Sequence, residues 1–350
     1  MITMIDQLIR KNFKVYKFFF VLKNTCAKFN IIRFLIYKSE IGKRKNLSIF
    51  EYKELSKTMK LYSKTIYSEN FFYGNYFTIR KALKNRMKGV FFIEHGIYFG
   101  NYVPQYEFNI KAVTIVTFGK HRLKPITQEF NKCLHAGDKI NIITIGPYIH
   151  YAEGLMSAEQ KSAIKKQYGT IMLVFPSHSL DGITVKHDVN TFLEEIEKIS
   201  ISYDSVFICM YWKDIQDGKH EAYLKKGYTV VTAGHINDSS FLSRLKDIID
   251  LSDMTVSNSI GTHIGYCVNR EKPHYLYYQK QEYEGEKLET QMKHRSSNEH
   301  QQALKEETDE IIDAFSTLNN QIIQNQKMIV EKYWGNPVIE KYEIIKDKNE

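Results

Sequence analysis

A chain of 350 residues with 43% apolar and 25% charged side chains is too long for one ordinary hydrophobic core and too apolar for a disordered polypeptide, so two folded domains are expected. Its four cysteines, Cys26, Cys133, Cys209 and Cys267, include no CxxC pair and no signal-peptide pattern opens the chain, which argues against a disulfide scaffold and points to a reducing cytosol. The formal charge of +9 is uneven: residues 1–70 hold 15 Lys plus Arg against 5 Asp plus Glu, and the remainder is close to neutral.

That basic segment interleaves its cations with Phe13, Phe18, Phe19, Phe20, Phe29, Phe34 and Tyr37, and includes the run Lys43, Arg44, Lys45. The pattern suits helices lying in an anionic membrane interface. It also fits a basic face packed on its own domain. Cations and aromatics together can serve nucleic acid, but no nucleic-acid-binding motif accompanies them and no such partner is expected. The apolar stretches Phe18 to Leu22 and Ile31 to Tyr37 fall well short of the roughly 20 residues a spanning helix needs, so no transmembrane helix is expected.

Along the chain, short β-branched and aromatic runs alternate with longer helix-period segments, the βαβ signature. Strands are predicted over Gly89 to Ile93, Ala112 to Thr117 and Ile140 to Ile145, with helices over Asn75 to Met87 and Thr127 to His135. The polar stretch Glu153 to Gly169 reads as the linker to a second half. There the predicted strands are Thr170 to Phe175, Ser205 to Tyr211, Tyr228 to Thr232, Met254 to Ser257 and His274 to Tyr278. Helices are predicted over Val189 to Ser200, Ser239 to Leu251 and Ile260 to Cys267. Gln279 to Gln301 reads as a loop or solvated helix, and Glu307 to Tyr333 as one long helix. The expected fold is α/β: two Rossmann-like lobes facing a central cleft, with a long C-terminal helix. The divisions are residues 1–155, 156–320 and a return helix and tail over 321–350.

Chemistry in open parallel sheets gathers beyond the carboxyl ends of the strands. The turns there are Glu94, His95, Gly96; Gly146, Pro147, Tyr148 with His150 and Tyr151 behind; Pro176, Ser177, His178, Ser179; Ala233, Gly234, His235; and Ser257, Asn258, Ser259, Ile260, Gly261, Thr262, His263. In the last, hydroxyls and a glycine open a helix whose free amides can hold a phosphate, although Ser and Asn also serve as plain helix caps. Lys120 and Arg122, after the strand ending near Thr117, fit either an anionic acceptor or plain solvation, and the solvated reading is favoured. GxSxG, GxGxxG and GxxxxGK are all absent, which argues against a serine hydrolase, a nicotinamide enzyme and a P-loop NTPase. The histidines are scattered, so no essential metal is expected.

This layout resembles the GT-B glycosyltransferases over most of residues 80–335, with the nearest likeness to the enzymes that build bacterial capsule or O-antigen polysaccharide. The Glu94, His95, Gly96 turn is similar to the His-Gly turn of teichoic-acid glycerophosphotransferases, and Ser257 to Gly265 is similar in placement to a GT-B donor-phosphate loop. The paired-glutamate donor motif is absent, which leaves the donor sugar open. The resemblance implies a metal-independent, inverting transfer from a nucleotide-sugar to a lipid-linked or polysaccharide acceptor, on the inner face of a membrane, with no cofactor beyond that co-substrate. It implies Glu94 or His95 as the base. It assigns the donor to Pro176, Ser177, His178, Ser179, Gly234, Ser257, Asn258, Ser259, Gly261, Thr262 and His263, and the acceptor to Gly96, Tyr98, Gly146, Tyr148 and Tyr151. A glycerophosphate-type phosphotransferase, a nucleotide-sugar epimerase and a non-catalytic scaffold of polysaccharide assembly remain as alternatives.

Overall fold

Short runs of β-branched and apolar residues become strands buried on both faces, the condition for a parallel sheet covered by helices. The computed structural model describes residues 31–61, 68–84, 91–103, 114–133, 139–180, 182–286 and 297–345, and among these the chain is an α/β protein. Strands β1 (Phe91–Ile93), β2 (Thr114–Thr117) and β3 (Lys139–Thr144) are parallel neighbours in a first sheet. A second, all-parallel sheet holds β4 (Ile171–Phe175), β6 (Ser205–Cys209), β7 (Thr229–Val231), β8 (Met254–Ser257) and β9 (His274–Leu276), in the order β7-β6-β4-β8-β9. Strands β5 (Thr184–Lys186) and β10 (Glu282–Glu284) form a separate antiparallel pair. The second sheet begins in its middle at β4, grows outward through β6 and β7, then resumes on the other side of β4 with β8. That order opens a crevice between the carboxyl ends of β4 and β8, where Phe175 lies opposite Ser257.

The helices are α1 (Ile31–Lys45), α2 (Tyr52–Leu55), α3 (Asn75–Ala82), α4 (Leu123–Cys133), α5 (Ala158–Tyr168), α6 (Val189–Ser200), α7 (Trp212–Gln216), α8 (Glu221–Leu224), α9 (Phe241–Leu251), α10 (Thr262–Asn269), α11 (Asn298–Phe315) and α12 (Gln324–Trp334). None of the described helices is long and apolar enough to cross a membrane. Strand alternation decides which helix covers which face. Met172 and Val174 of β4 pack with Phe192 and Ile196 of α6, while Ile171, Leu173 and Phe175 face the opposite way. In the first sheet Ile115 and Ile142 pack with Ile126 and Phe130 of α4. The faces turned from α4 and α6 share one apolar cluster, in which Ile93, Val116 and Ile143 join Leu173, Phe175 and Phe207 through Tyr148, Ile149, Leu242, Leu245, Ile248 and Trp334. Two separate cores were the sequence expectation; a continuous one links the sheets.

Three other expectations change. Glu153 to Gly169 is not only linker: Ser157 and Gln160 form a capping box that starts α5, a helix with no buried residue and hence no apolar stripe to read. Glu307 to Tyr333 is two helices broken over residues 316–323, where Ser316 caps α11 and a Thr-Leu-Asn-Asn stretch turns the chain back. Finally residues 340–345 of the expected tail form a strand, β11 (Glu340–Ile345), which pairs antiparallel along the whole of β3. Met87 and His135, the predicted ends of two helices, lie outside the described residues.

The returning segment fits because Gly265 in α10 has no side chain. The Trp334 indole fills that space, and a Cβ at 265 would overlap its ring atoms. Gly265→Ala is therefore expected to destabilise the protein by roughly 1–3 kcal/mol, read as a lowered urea midpoint at unchanged m-value. An unchanged midpoint would mean that α12 sits away from α10.

Candidate functional site

The turn after β1 is braced from both sides. On one side, Asn70 mimics a neighbouring strand: its Oδ1 accepts from Ile93 N at 2.6 Å and its Nδ2 donates to the Phe91 carbonyl at 3.2 Å. The chain then turns through two successive left-handed residues, Tyr73 (φ 58°) and Gly74 (φ 74°), and Tyr73 N donates to the Ile236 carbonyl at 2.7 Å. A left-handed conformation is costly for a bulky aromatic. Here it carries the Tyr73 ring between Phe241 (4.9 Å between centroids) and His95 (6.3 Å), with the hydroxyl 3.4 Å from that of Tyr211. Asn75 Nδ2 donates to the His95 carbonyl at 3.3 Å.

On the other side, Glu94 and Arg122 form a fully buried ion pair, closest at 2.6 Å, and Thr117 Oγ1 donates to the same carboxylate. Arg122 Nη1 also donates to the Tyr102 carbonyl at 2.9 Å, and the guanidinium lies 5.3 Å from the Tyr98 ring centre. The Tyr98 hydroxyl lies 3.3 Å from His95 Nδ1. These contacts correct two expectations. Glu94 is committed to Arg122 and Thr117 and is not in the cleft, and Arg122 is buried. Lys120 does reach solvent, where it pairs with Glu340 at 3.0 Å.

A cavity of about 280 Å³ lies where the carboxyl ends of both sheets meet. The first sheet contributes His95 and Gly96. The second contributes Pro176 and His178 after β4, Cys209 to Tyr211 at the end of β6, Ala233 after β7, and Ser259 to His263 at the start of α10. One hydrogen bond spans the two groups, from Ile97 N to Thr262 Oγ1 at 3.1 Å. The α10 amino terminus is preceded by extended Gly261 and has no side-chain cap; the Ile264 amide donates to the Gly261 carbonyl at 3.3 Å, which leaves the Thr262 and His263 amides as donors for an anion. The walls are otherwise aromatic and aliphatic, through Phe175, Phe241, Leu245 and Tyr266. Among the described residues none of the lining side chains is Lys, Arg, Asp or Glu.

Three imidazoles, His95, His178 and His263, line the cavity. Burial lowers His95 to about 4. Burial and the nearby His178 lower His263 to about 3; its ring stacks on Phe175 at 5.1 Å, and its Nε2 is buried without a partner. His178 lies 4.4 Å from the Tyr211 ring. His95 and His263 are thus neutral near pH 7. The cavity thiol Cys209 is pushed up to about 12 by burial, which leaves it a poor nucleophile.

The structure brings together His95, Gly96, Pro176, His178, Ser259, Gly261, Thr262 and His263, and places the other candidates in the scaffold. Ser177 binds His187 Nδ1 at 2.8 Å, and its amide donates to Asn258 Oδ1. Ser179 accepts from Lys219 and Val185 N. Ser257 is bonded to His274 and the Ser259 carbonyl, and Asn258 to Gln279. Gly234 lies beside Arg244, next to the cavity-lining Ala233. Of the acceptor residues, Tyr148 stacks on Phe118 in the core, Gly146 packs on Asn336, Tyr151 donates to the Ile145 carbonyl, and Tyr98 stands behind His95. Tyr211 was overlooked although it ends a predicted strand. Tyr73 gave no signal, because nothing in its neighbours marks a left-handed aromatic.

Two measurements check this account. Arg122→Met strands the buried Glu94 carboxylate and should cost about 3–5 kcal/mol in chemical unfolding; a loss below 1 kcal/mol would place the pair in solvent. The second is acid stability. An unfolded His95 binds its proton as pH falls below 6.5, whereas the folded one waits until about 4, so the stability tied to it is complete above 6.5 and lost towards pH 4. His95→Gln should flatten the fall in Tm across that window, and an unchanged slope would mean that His95 titrates normally. Compared with known proteins, the chain matches no family model and no curated protein.

Proposed function

We propose that the protein is a GT-B-type glycosyltransferase that moves a sugar from a nucleotide-sugar to a lipid-linked or polysaccharide acceptor, with inversion. The observation that carries this reading is the cavity itself: an uncapped helix amino terminus at the β4–β8 crevice, faced across the gap by His95 from the other sheet. Direct displacement needs a base on the acceptor side and dipoles on the departing phosphate. Neutral His95 takes the proton from the acceptor hydroxyl. The α10 amides and the Thr262 hydroxyl receive the phosphate charge, which in turn raises the proton affinity of a nearby imidazole. His263 Nε2 and the Tyr211 hydroxyl are polar groups for the donor, and the Tyr73 and Phe241 rings exclude water from the reacting atoms.

The test is a thermal-shift screen against UDP-, GDP-, CDP-, dTDP- and CMP-linked sugars, followed by transfer assays with the ligand found. One class should raise Tm. His95→Ala should then lower turnover by about 10² while keeping the donor-induced shift. No shift with any nucleotide-sugar, or wild-type turnover in His95→Ala, would overturn the reading.

A further inference from the structure

The helix α1 has one side held by the fold and another on which Leu35 and Ile36 are largely exposed. Tyr37 and Arg44, seven residues apart, form its buried side: the Tyr37 hydroxyl donates to the Asn237 carbonyl, and Arg44 donates to the Leu55 and Lys57 carbonyls at 2.8 and 2.7 Å. Arg244 Nη2 grips the same helix end through the Arg44 carbonyl at 3.0 Å. The opposite side presents Leu35 and Ile36, 56% and 64% exposed, next to the also exposed Phe34. Lys38, Lys43 and Lys45 flank them, exposed and without a carboxylate partner among the described residues. The one acid of the helix, Glu40, is bonded to Arg44 at 2.9 Å. The outer side of α1 is therefore apolar and cationic with its negative charge already neutralised, which is the complement of an anionic lipid surface: apolar tips enter the acyl boundary while lysines meet headgroup phosphates.

We infer that α1 docks the protein on an anionic bilayer through Leu35 and Ile36, with Lys38, Lys43 and Lys45 on the headgroups. The anchoring of α1 gives this contact a direction. Asn237 and Arg244 belong to the segment that contributes Ala233, Phe241 and Leu245 to the cavity wall, so a docked α1 holds the cavity beside the membrane. This deepens the transfer reading by giving a lipid-linked acceptor a route to the site, yet the docking stands on the surface alone and is measured without turnover.

The test is co-sedimentation of the full chain with phosphatidylcholine vesicles, with and without phosphatidylserine, alongside Leu35→Glu/Ile36→Glu and Lys38→Gln/Lys43→Gln/Lys45→Gln variants. Tm serves as the folding control. Wild type should pellet with phosphatidylserine vesicles and not with pure phosphatidylcholine, and each variant should lose binding by about tenfold or more at unchanged Tm. Variants that bind like wild type, a wild type that ignores phosphatidylserine, or equal binding to both vesicles would overturn the assignment. Duplex oligonucleotide binding lost in the lysine variant, with no vesicle binding, would overturn it as well and give the surface to nucleic acid.

Discussion

The Trp334 indole lies in the space that Gly265 leaves open in α10, and its ring also meets Phe99 at 5.7 Å, four residues beyond the His95 turn. Through this contact a helix of the second sheet and a loop of the first are held against the same side chain. Immediately afterwards Gly335, at φ 74°, passes close to the Phe118 carbonyl and lets the chain run into β11 on the edge of the first sheet. The C-terminal segment thus straps both sheets together, and the distance between His95 and the α10 amino terminus depends on it. A cavity formed by two sheets is only as well defined as the element that fixes one sheet on the other.

This arrangement explains why the site uses dipoles and neutral rings. The shared apolar cluster reaches the cavity, so a lone charge in its wall would lack solvation. The buried charges that do occur nearby are paired: Glu94 with Arg122, and Asp238 with Arg244. The first pair lies directly beneath Tyr98 and His95 and the second beside Ala233, so both steady walls of the cavity without entering it. What remains inside is a helix end, the neutral imidazoles of His95 and His263, the His178 ring and a pair of tyrosine hydroxyls.

Much of the fold was legible because burial on both faces writes itself into composition. The apolar run Thr170 to Phe175 reads as a covered strand, and apolar residues at helical spacing place α6 at Val189 to Ser200. The helix α5 was hidden for the converse reason: it buries nothing, so its sequence has no stripe. The broken C-terminal helix and β11 depended on Trp334 finding Gly265, a contact between positions far apart in the chain. At the site, the carboxyl-end rule found the turns but not which side chain in each turn faces the cavity. Ser177, Ser257 and Asn258 resemble ligand groups in one dimension and are consumed by His187, His274 and Gln279 in three. Glu94 looked like a base because the arginine that neutralises it lies 28 residues further on.

The claim on which the account rests is that ligand binds between the two sheets at the β4–β8 crevice. The most direct measurement is a crystal structure of the protein soaked with the nucleotide-sugar that raises its Tm. Phosphate density is expected on the Thr262 and His263 amides, with the sugar facing His95. Density in the polar groove lined by Asn269, Lys327 and Asn336, with the cavity beside His95 empty, would contradict it.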